Sequence, residues 1–206
     1  MQDRSSDDGL HERDCASDPF DQFARWFAEW QAAGPVEPTA MTIATVDAGA
    51  QPSARVVLLK GYDKQGFVFF TNYDSRKGRE LEAGARVALL FYWDRLARQV
   101  RVEGVAERVT ATESDEYFAT RPRGSQIGAW ASPQSRPIPD RAQLEAQVRE
   151  IEAGAAGKPV ARPPHWGGYR VRPERFEFWQ GRESRLHDRI VYARAGTGWS
   201  RSRIAP

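Results

Sequence analysis

The spacing of apolar positions changes along the chain, and each change predicts an element. Residues 1–17 are polar, mixed in charge and without period, which predicts a flexible arm. Asp18 then supplies an N-cap, Pro19 fits the first helical position, and Asp21 suits the first turn. Phe20, Phe23, Trp26, Phe27 and Trp30 follow at helical spacing until Gly34-Pro35 stops the helix. An aromatic stripe of this kind is expected to be core or subunit contact.

From residue 40 the period falls to two. Strands are predicted over 40–46, 54–61, 67–72, 87–93 and 99–109, separated by turn-forming pieces such as Asp47-Ala48-Gly49 and Asp63-Lys64-Gln65-Gly66. Consecutive strands joined by tight turns form an antiparallel meander, and five or more tend to close into a barrel with few open edges. Helices are expected over 75–83, about 113–119 and about 140–153, with a loop over 121–135 and a surface linker over 153–164, rich in Gly, Ala and Pro. Two further strands, 169–179 and 189–194, precede the tail 199–206. The fold class is a β-barrel with peripheral helices (α+β), with residues 18–206 as one domain and 1–17 as its arm.

Composition narrows the chemistry. Cys15 is the single cysteine among 206 residues, so no intrachain disulfide can form, and with only three histidines a metal site is not expected. No apolar run reaches transmembrane length and the N-terminus carries no apolar stretch like that of a signal peptide, so a cytoplasmic protein is expected. A net charge of +2, with scattered basic residues, gives no support for nucleic-acid binding. Arginine is the default base here, since lysine occurs only at Lys60, Lys64, Lys77 and Lys158.

Four stretches can carry chemistry. Arg185, His187 and Arg189 lie at i, i+2, i+4, so an extended backbone would put two permanent cations and an imidazole on one face, suited to an anion whose reaction moves a proton near neutral pH. The alternative is an exposed strand whose cations meet solvent and nearby acids. Arg55–Lys60 looks like a buried strand with a cation at each end, on opposite faces, which can hold two anions or simply reach solvent. Phe70–Gly78 runs from a strand end into a helix start, where Thr71, Ser75, free amides and Arg76-Lys77 form a phosphate cradle. Tyr117, Arg121 and Ser125 form a second such kit, and Gln134-Ser135 add uncharged donors for a heterocycle. Walker and Rossmann glycine loops are absent.

RVVLLK (55–60), FTNYDSRK (70–77), RPRGSQIGAW (121–130), Gln134-Ser135, Trp166-Gly167-Gly168, FWQGRESRLHDR (178–189) and the terminal Arg203-Ile204-Ala205-Pro206 together resemble the pyridoxine (pyridoxamine) 5′-phosphate oxidase family, in order and in register over about 18–206. The resemblance implies an FMN-binding split β-barrel, Greek-key-like, assembled as a homodimer with FMN at the subunit interface. It implies FMN contacts from Arg55, Val56, Val57, Leu58, Phe70, Thr71, Arg76, Lys77, Gln99, Gln134, Ser135, Trp179 and Arg189. It further implies that Lys60, Tyr117, Arg121 and Ser125 grip the substrate phosphate, and that Arg185, Leu186 and His187 lie at the substrate ring, with Arg185 and His187 catalytic. The activity implied is oxidation of pyridoxine or pyridoxamine 5′-phosphate to pyridoxal 5′-phosphate by O2, releasing H2O2, and ammonia from the amine. Alternatives are a related FMN oxidase of phenazine biosynthesis and a non-catalytic flavin- or pyridoxal-phosphate-binding protein. The arm departs from the family pattern, with Gln2 and Ser5 where an arginine and a tyrosine are usual.

Overall fold

The computed structural model describes residues 9–206, so Gln2, Ser5 and the rest of the first eight residues lie outside it. Helix α1 (Pro19–Ala32) starts where expected, with the Asp18 carboxylate accepting from the Phe20 amide at 2.8 Å. Its aromatic stripe is core. Phe23 is fully buried, with ring centroids 4.9 Å from Phe67 and 5.0 Å from Phe91, and Trp26 meets Phe178 edge-on at 5.3 Å. Burying each such ring contributes roughly 2–3 kcal/mol.

Strands β1 (Ala40–Val46), β2 (Pro52–Leu58), β3 (Gly61–Asp63), β4 (Gly66–Asn72), β5 (Arg86–Trp93), β6 (Arg98–Arg108), β7 (Trp166–Gln180), β8 (Asp188–Ala195) and β9 (Gly198–Arg203) form one curled antiparallel sheet. The main path runs β2-β1-β5-β6-β7-β4-β3. β6 follows β7 along nearly its whole length, whereas the other edge of β7 is shared. Trp166–Val171 pairs with β4, and Arg175–Gln180 pairs with β8. The split falls around Pro173, which has no N–H to give to a ladder. Opposite it the register shifts at Glu103/Gly104, where a side chain on Gly104 would stand 2.1 Å from the Arg172 carbonyl oxygen.

The helices are α2 (Arg76–Ala83), α3 (Ala111–Thr120), α4 (Arg123–Ala131) and α5 (Arg141–Gly154). Several expectations need correction. The strand expected over 54–61 breaks after Leu58, because Leu59 N–H turns to Thr39 and Lys60 N–H to Val68. It is not of buried type, since Val56 is 65% exposed on an edge strand. The loop expected over 121–135 contains α4, with Ile127 and Ala131 buried one turn apart. The tail forms β9 against β8. Residues 9–17 are not a loose arm: Arg203 donates to the Leu10 carbonyl at 2.7 Å and Tyr192 to the Ala16 carbonyl at 2.6 Å, and Leu10 and Cys15 are buried. Among the described residues no helix is long and apolar enough to cross a membrane.

Candidate functional site

A cleft of about 660 Å³ opens between β2, the end of β4, the start of α2, and α3–α4. Arg55, Lys60, Lys77 and Arg121 line it, and among the described residues no acidic side chain does. Such a cleft is built for anions.

One half is the strand-to-helix turn after β4. The Ser75 hydroxyl caps α2 by accepting from the Gly78 amide, and Gly78 is required there because a Cβ would lie 2.0 Å from the Tyr73 carbonyl oxygen. The tight start brings Lys77 inward, where its Nζ donates to Thr71 Oγ1 and Gln134 Oε1, both at 3.0 Å. All its partners are neutral oxygens, including Ser75 Oγ at 3.4 Å. Burial, reinforced by Arg55 and opposed by Glu80, lowers the Lys77 ammonium to about 8.

Behind it stands Glu80, which the sequence reading did not single out. The carboxylate is 4% exposed and accepts from Thr45 at 2.5 Å, Ser53 at 2.7 Å, Arg76 at 2.8 Å and Arg55 at 3.2 Å. Burial pushes this carboxyl up, but those donors outweigh it and hold it at about 2. Arg55 also donates to Thr45 and Ser53, so it is fixed along the cleft wall. The i, i+4 spacing of Arg76 and Glu80 was the available signal, although their contact with Arg55 depends on the tertiary fold.

The other half holds Lys60, Tyr117, Arg121 and Ser125. Phe70, Tyr117 and Trp166 stack in it, Phe70 and Tyr117 with centroids 4.0 Å apart, and the Arg121 guanidinium lies over Trp166 at 4.5 Å. Arg121 Nη1 is buried without a hydrogen-bond partner, and burial lowers the guanidinium from its ordinary value. Val56, Val57, Leu58, Phe70, Thr71 and Gln134 complete the expected set within the cleft.

Other expected residues lie off it. Arg76 faces Glu80, and Ser135 sits in the following loop with φ +69°. Gln99, Trp179 and Arg189 form one row across β6, β7 and β8. Arg189 is held in a two-pronged pair by Glu177, both contacts at 3.0 Å, and donates to the Ala205 carbonyl at 2.9 Å. Glu177 is 3% exposed, also takes Arg101 at 3.4 Å, and is a second buried acid that the sequence reading missed.

The condition for Arg185, His187 and Arg189 to share one face, an extended backbone over 185–189, is not met. Ser184 and Arg185 have φ of +54° and +60°, so the chain makes a 3₁₀ turn over Glu183–Arg185, and β8 begins only at Asp188. Left-handed backbone at two non-glycine residues is a strain held by the surroundings. Leu186 is 70% exposed. The His187 ring lies tilted against Trp179, centroids 4.7 Å apart, and its Nδ1 accepts from the Arg182 amide at 3.1 Å. The neutral ring therefore carries its proton on Nε2.

The curled antiparallel sheet with this cleft at its edge defines the class, a split β-barrel of the FMN-binding kind. A protein from Nostoc punctiforme, described as pyridoxamine 5′-phosphate oxidase-related and FMN-binding, shares the fold at TM-score 0.73 over 93% of this chain and all of its own, with 15% identity. PhzG from Burkholderia lata 383, solved with tetrahydrophenazine-1-carboxylic acid, superposes at TM-score 0.89 with 33% identity over 98% of this chain and 100% of its own. Residues 28–155 match the family described as "Pyridoxamine 5′-phosphate oxidase", and 166–206 match the "Pyridoxine 5′-phosphate oxidase C-terminal dimerisation region". The pyridoxine/pyridoxamine 5′-phosphate oxidases of Rubrobacter xylanophilus and Bordetella pertussis are 62% and 61% identical over 96% of this chain, covering 91% and 93% of their own lengths. The chain belongs to the pyridoxine/pyridoxamine 5′-phosphate oxidase family.

Proposed function

We propose that this chain is a cytoplasmic, homodimeric, FMN-dependent oxidase that converts pyridoxine 5′-phosphate or pyridoxamine 5′-phosphate to pyridoxal 5′-phosphate. O2 is the electron acceptor and H2O2 the by-product, with ammonia released from the amine. The observation that carries the reading is one cleft lined by four cations and, among the described residues, no acid, with room for two phosphates along it.

The residues present fit FMN. Lys77, buried among neutral oxygens, lacks the anion that a phosphate would supply, and Arg55 is braced beside it by Glu80. β2 is an edge strand, so Val56, Val57 and Leu58 offer main-chain groups as well as apolar surface to a planar heterocycle. Thr71 and Gln134 add uncharged polar contacts. Arg76 acts through Glu80, and Ser135 follows Gln134 at the rim. The row Gln99, Trp179 and Arg189 belongs to the region matching the dimerisation segment and the strand beside it, and in the homodimer it completes the partner subunit's cleft.

Bound FMN supplies the two-electron redox chemistry. The remaining work falls to this chain. Lys60, Tyr117, Arg121 and Ser125 bind the substrate phosphate and thereby place the ring. Arg185, beside Leu186 on the exposed turn, favours negative charge on the hetero-atom at the 4′ carbon, a contribution on the order of 3–4 kcal/mol. His187 offers an Nε2–H rather than a lone pair, because Nδ1 is occupied, so its role is to orient by donation.

A related oxidase acting on an unphosphorylated aromatic acid would leave Lys60 and Arg121 without purpose, and a carrier would bind without electron transfer. Anaerobic mixing of the yellow protein with pyridoxine 5′-phosphate should bleach the flavin band, and air should restore it. Pyridoxine lacking the phosphate should bleach it far more slowly. Retention of the flavin band with both phosphorylated vitamers would overturn the assignment.

A further inference from the structure

We infer that Trp166 is a positioning residue for the substrate phosphate, acting through Arg121. The inference rests on the reading of the outer half of the cleft as a phosphate subsite and extends it to a residue that does not itself carry charge.

The argument turns on how a guanidinium can be held in place. Two other arginines of the fold are fixed by carboxylates: Arg55 by Glu80 at 3.2 Å, and Arg162 by Asp115 at 2.6 Å. A carboxylate occupies the in-plane N–H edge, the same edge that a phosphate needs for two parallel hydrogen bonds. Arg121 is held differently. Its Cζ lies over the Trp166 ring at 4.5 Å and 5.6 Å from the Phe118 ring, with no ion pair or side-chain hydrogen bond to it among the described residues. Stacking fixes the flat face and leaves the edge free, and Nη1 is buried without a partner.

Trp166 is itself immobilised. It is 6% exposed and stacks on Phe70 at 5.5 Å with an 11° interplanar angle, and Phe118 meets it edge-on at 5.2 Å. At the start of β7 it pairs in register with Asn72, and its carbonyl accepts from Arg162 at 2.6 Å. The ring is therefore a rigid plate that sets the plane in which Arg121 offers its donors. Arg121 enters this position as the residue that ends α3, directly before Pro122, so its backbone is also fixed.

The test compares Trp166→Leu, Arg121→Lys, Arg121→Ala and the double variant Trp166→Leu/Arg121→Ala in steady-state assays with pyridoxine 5′-phosphate and with pyridoxine. Trp166→Leu should raise KM for the phosphorylated substrate about tenfold, between the size of an exposed and of a desolvated cation–π contact. The loss should appear in KM rather than kcat, be absent with pyridoxine, leave FMN affinity unchanged, and vanish in the Arg121→Ala background. Arg121→Lys keeps the charge but not the planar fork that Trp166 orients, so it should lose about as much as Trp166→Leu and less than Arg121→Ala, and it tests the idea even if Trp166→Leu does not fold. Equal losses with both substrates, additivity with Arg121→Ala, or a wild-type KM for Arg121→Lys would overturn the inference alone. A wild-type KM for Arg121→Ala would instead overturn the phosphate subsite and the inference with it.

Discussion

Lys77 should couple the affinity for FMN and the stability of the apoprotein to pH with opposite signs. In the apoprotein its ammonium is lowered from the ordinary 10.5 to about 8, first by burial and then by Arg55, with Glu80 opposing. That difference corresponds to about 3 kcal/mol against the charged form at neutral pH. Between about pH 8 and 10.5 the native apoprotein binds fewer protons than the unfolded chain, so this residue's contribution to stability rises with pH across that window. FMN affinity should move the other way. A phosphate recovers the cost only while Nζ is charged, so above pH 8 the association constant should fall about tenfold per pH unit until the bound-state pKa is reached. Fluorescence titration of apoprotein with FMN between pH 7 and 9.5, for wild type and Lys77→Met, measures it. Lys77→Met should bind FMN roughly a hundredfold more weakly at pH 7, the worth of a charged hydrogen-bonded contact of about 2–3 kcal/mol. Its affinity should be nearly flat with pH, and its apoprotein should melt higher than wild type. The same alkaline slope in both proteins would show that another group titrates and refute the reasoning.

Two further substitutions probe the residues off the cleft. Arg185→Ala should lower kcat by roughly a hundredfold or more while the purified protein stays yellow, because its charge is needed where charge develops rather than for cofactor retention; a colourless variant would assign it to FMN binding instead. Glu177→Ala strips the buried acid from Arg189 and Arg101, and breaking a buried pair costs about 3–5 kcal/mol. Its melting temperature should drop by about 10 °C with weaker FMN retention, and an unshifted melting curve would show that the cluster is solvated rather than buried.

Local signals were legible where one element answers to its own residues. The Asp18-Pro19 cap and the aromatic stripe place α1, and alternation places β1 and β5 within a residue of their bounds. α4 was hidden because Gly124 and Gly128 look like loop residues, while only Ile127 and Ala131 mark a buried face. β9 has almost no alternation, since all its side chains but Trp199 are exposed, and it exists because β8 has an edge to pair. Glu80 and Glu177 escaped notice for a related reason. An acid on a helix or between aromatic residues looks solvated, and only the assembled sheet surrounds it with arginines.

The two cations of RVVLLK show where counting by twos fails and why. Periodicity puts Arg55 and Lys60 on opposite faces, which suggests two separate anion sites, yet both line one cleft. Two features of the fold account for this. β2 is the sheet's edge, paired among the described residues only with β1, so a cleft can wrap it and reach both faces. The ladder then ends at Leu58, and the amides of Leu59 and Lys60 turn to Thr39 and Val68, which carries Lys60 toward the cleft it shares with Tyr117, Arg121 and Ser125. The same error of assumed extension misplaced Arg185, where two left-handed residues replace the strand. In both places the parity was wrong, because the chain departs from regular strand: at Leu59 the ladder amides turn to other partners, and at Ser184 and Arg185 the backbone is left-handed.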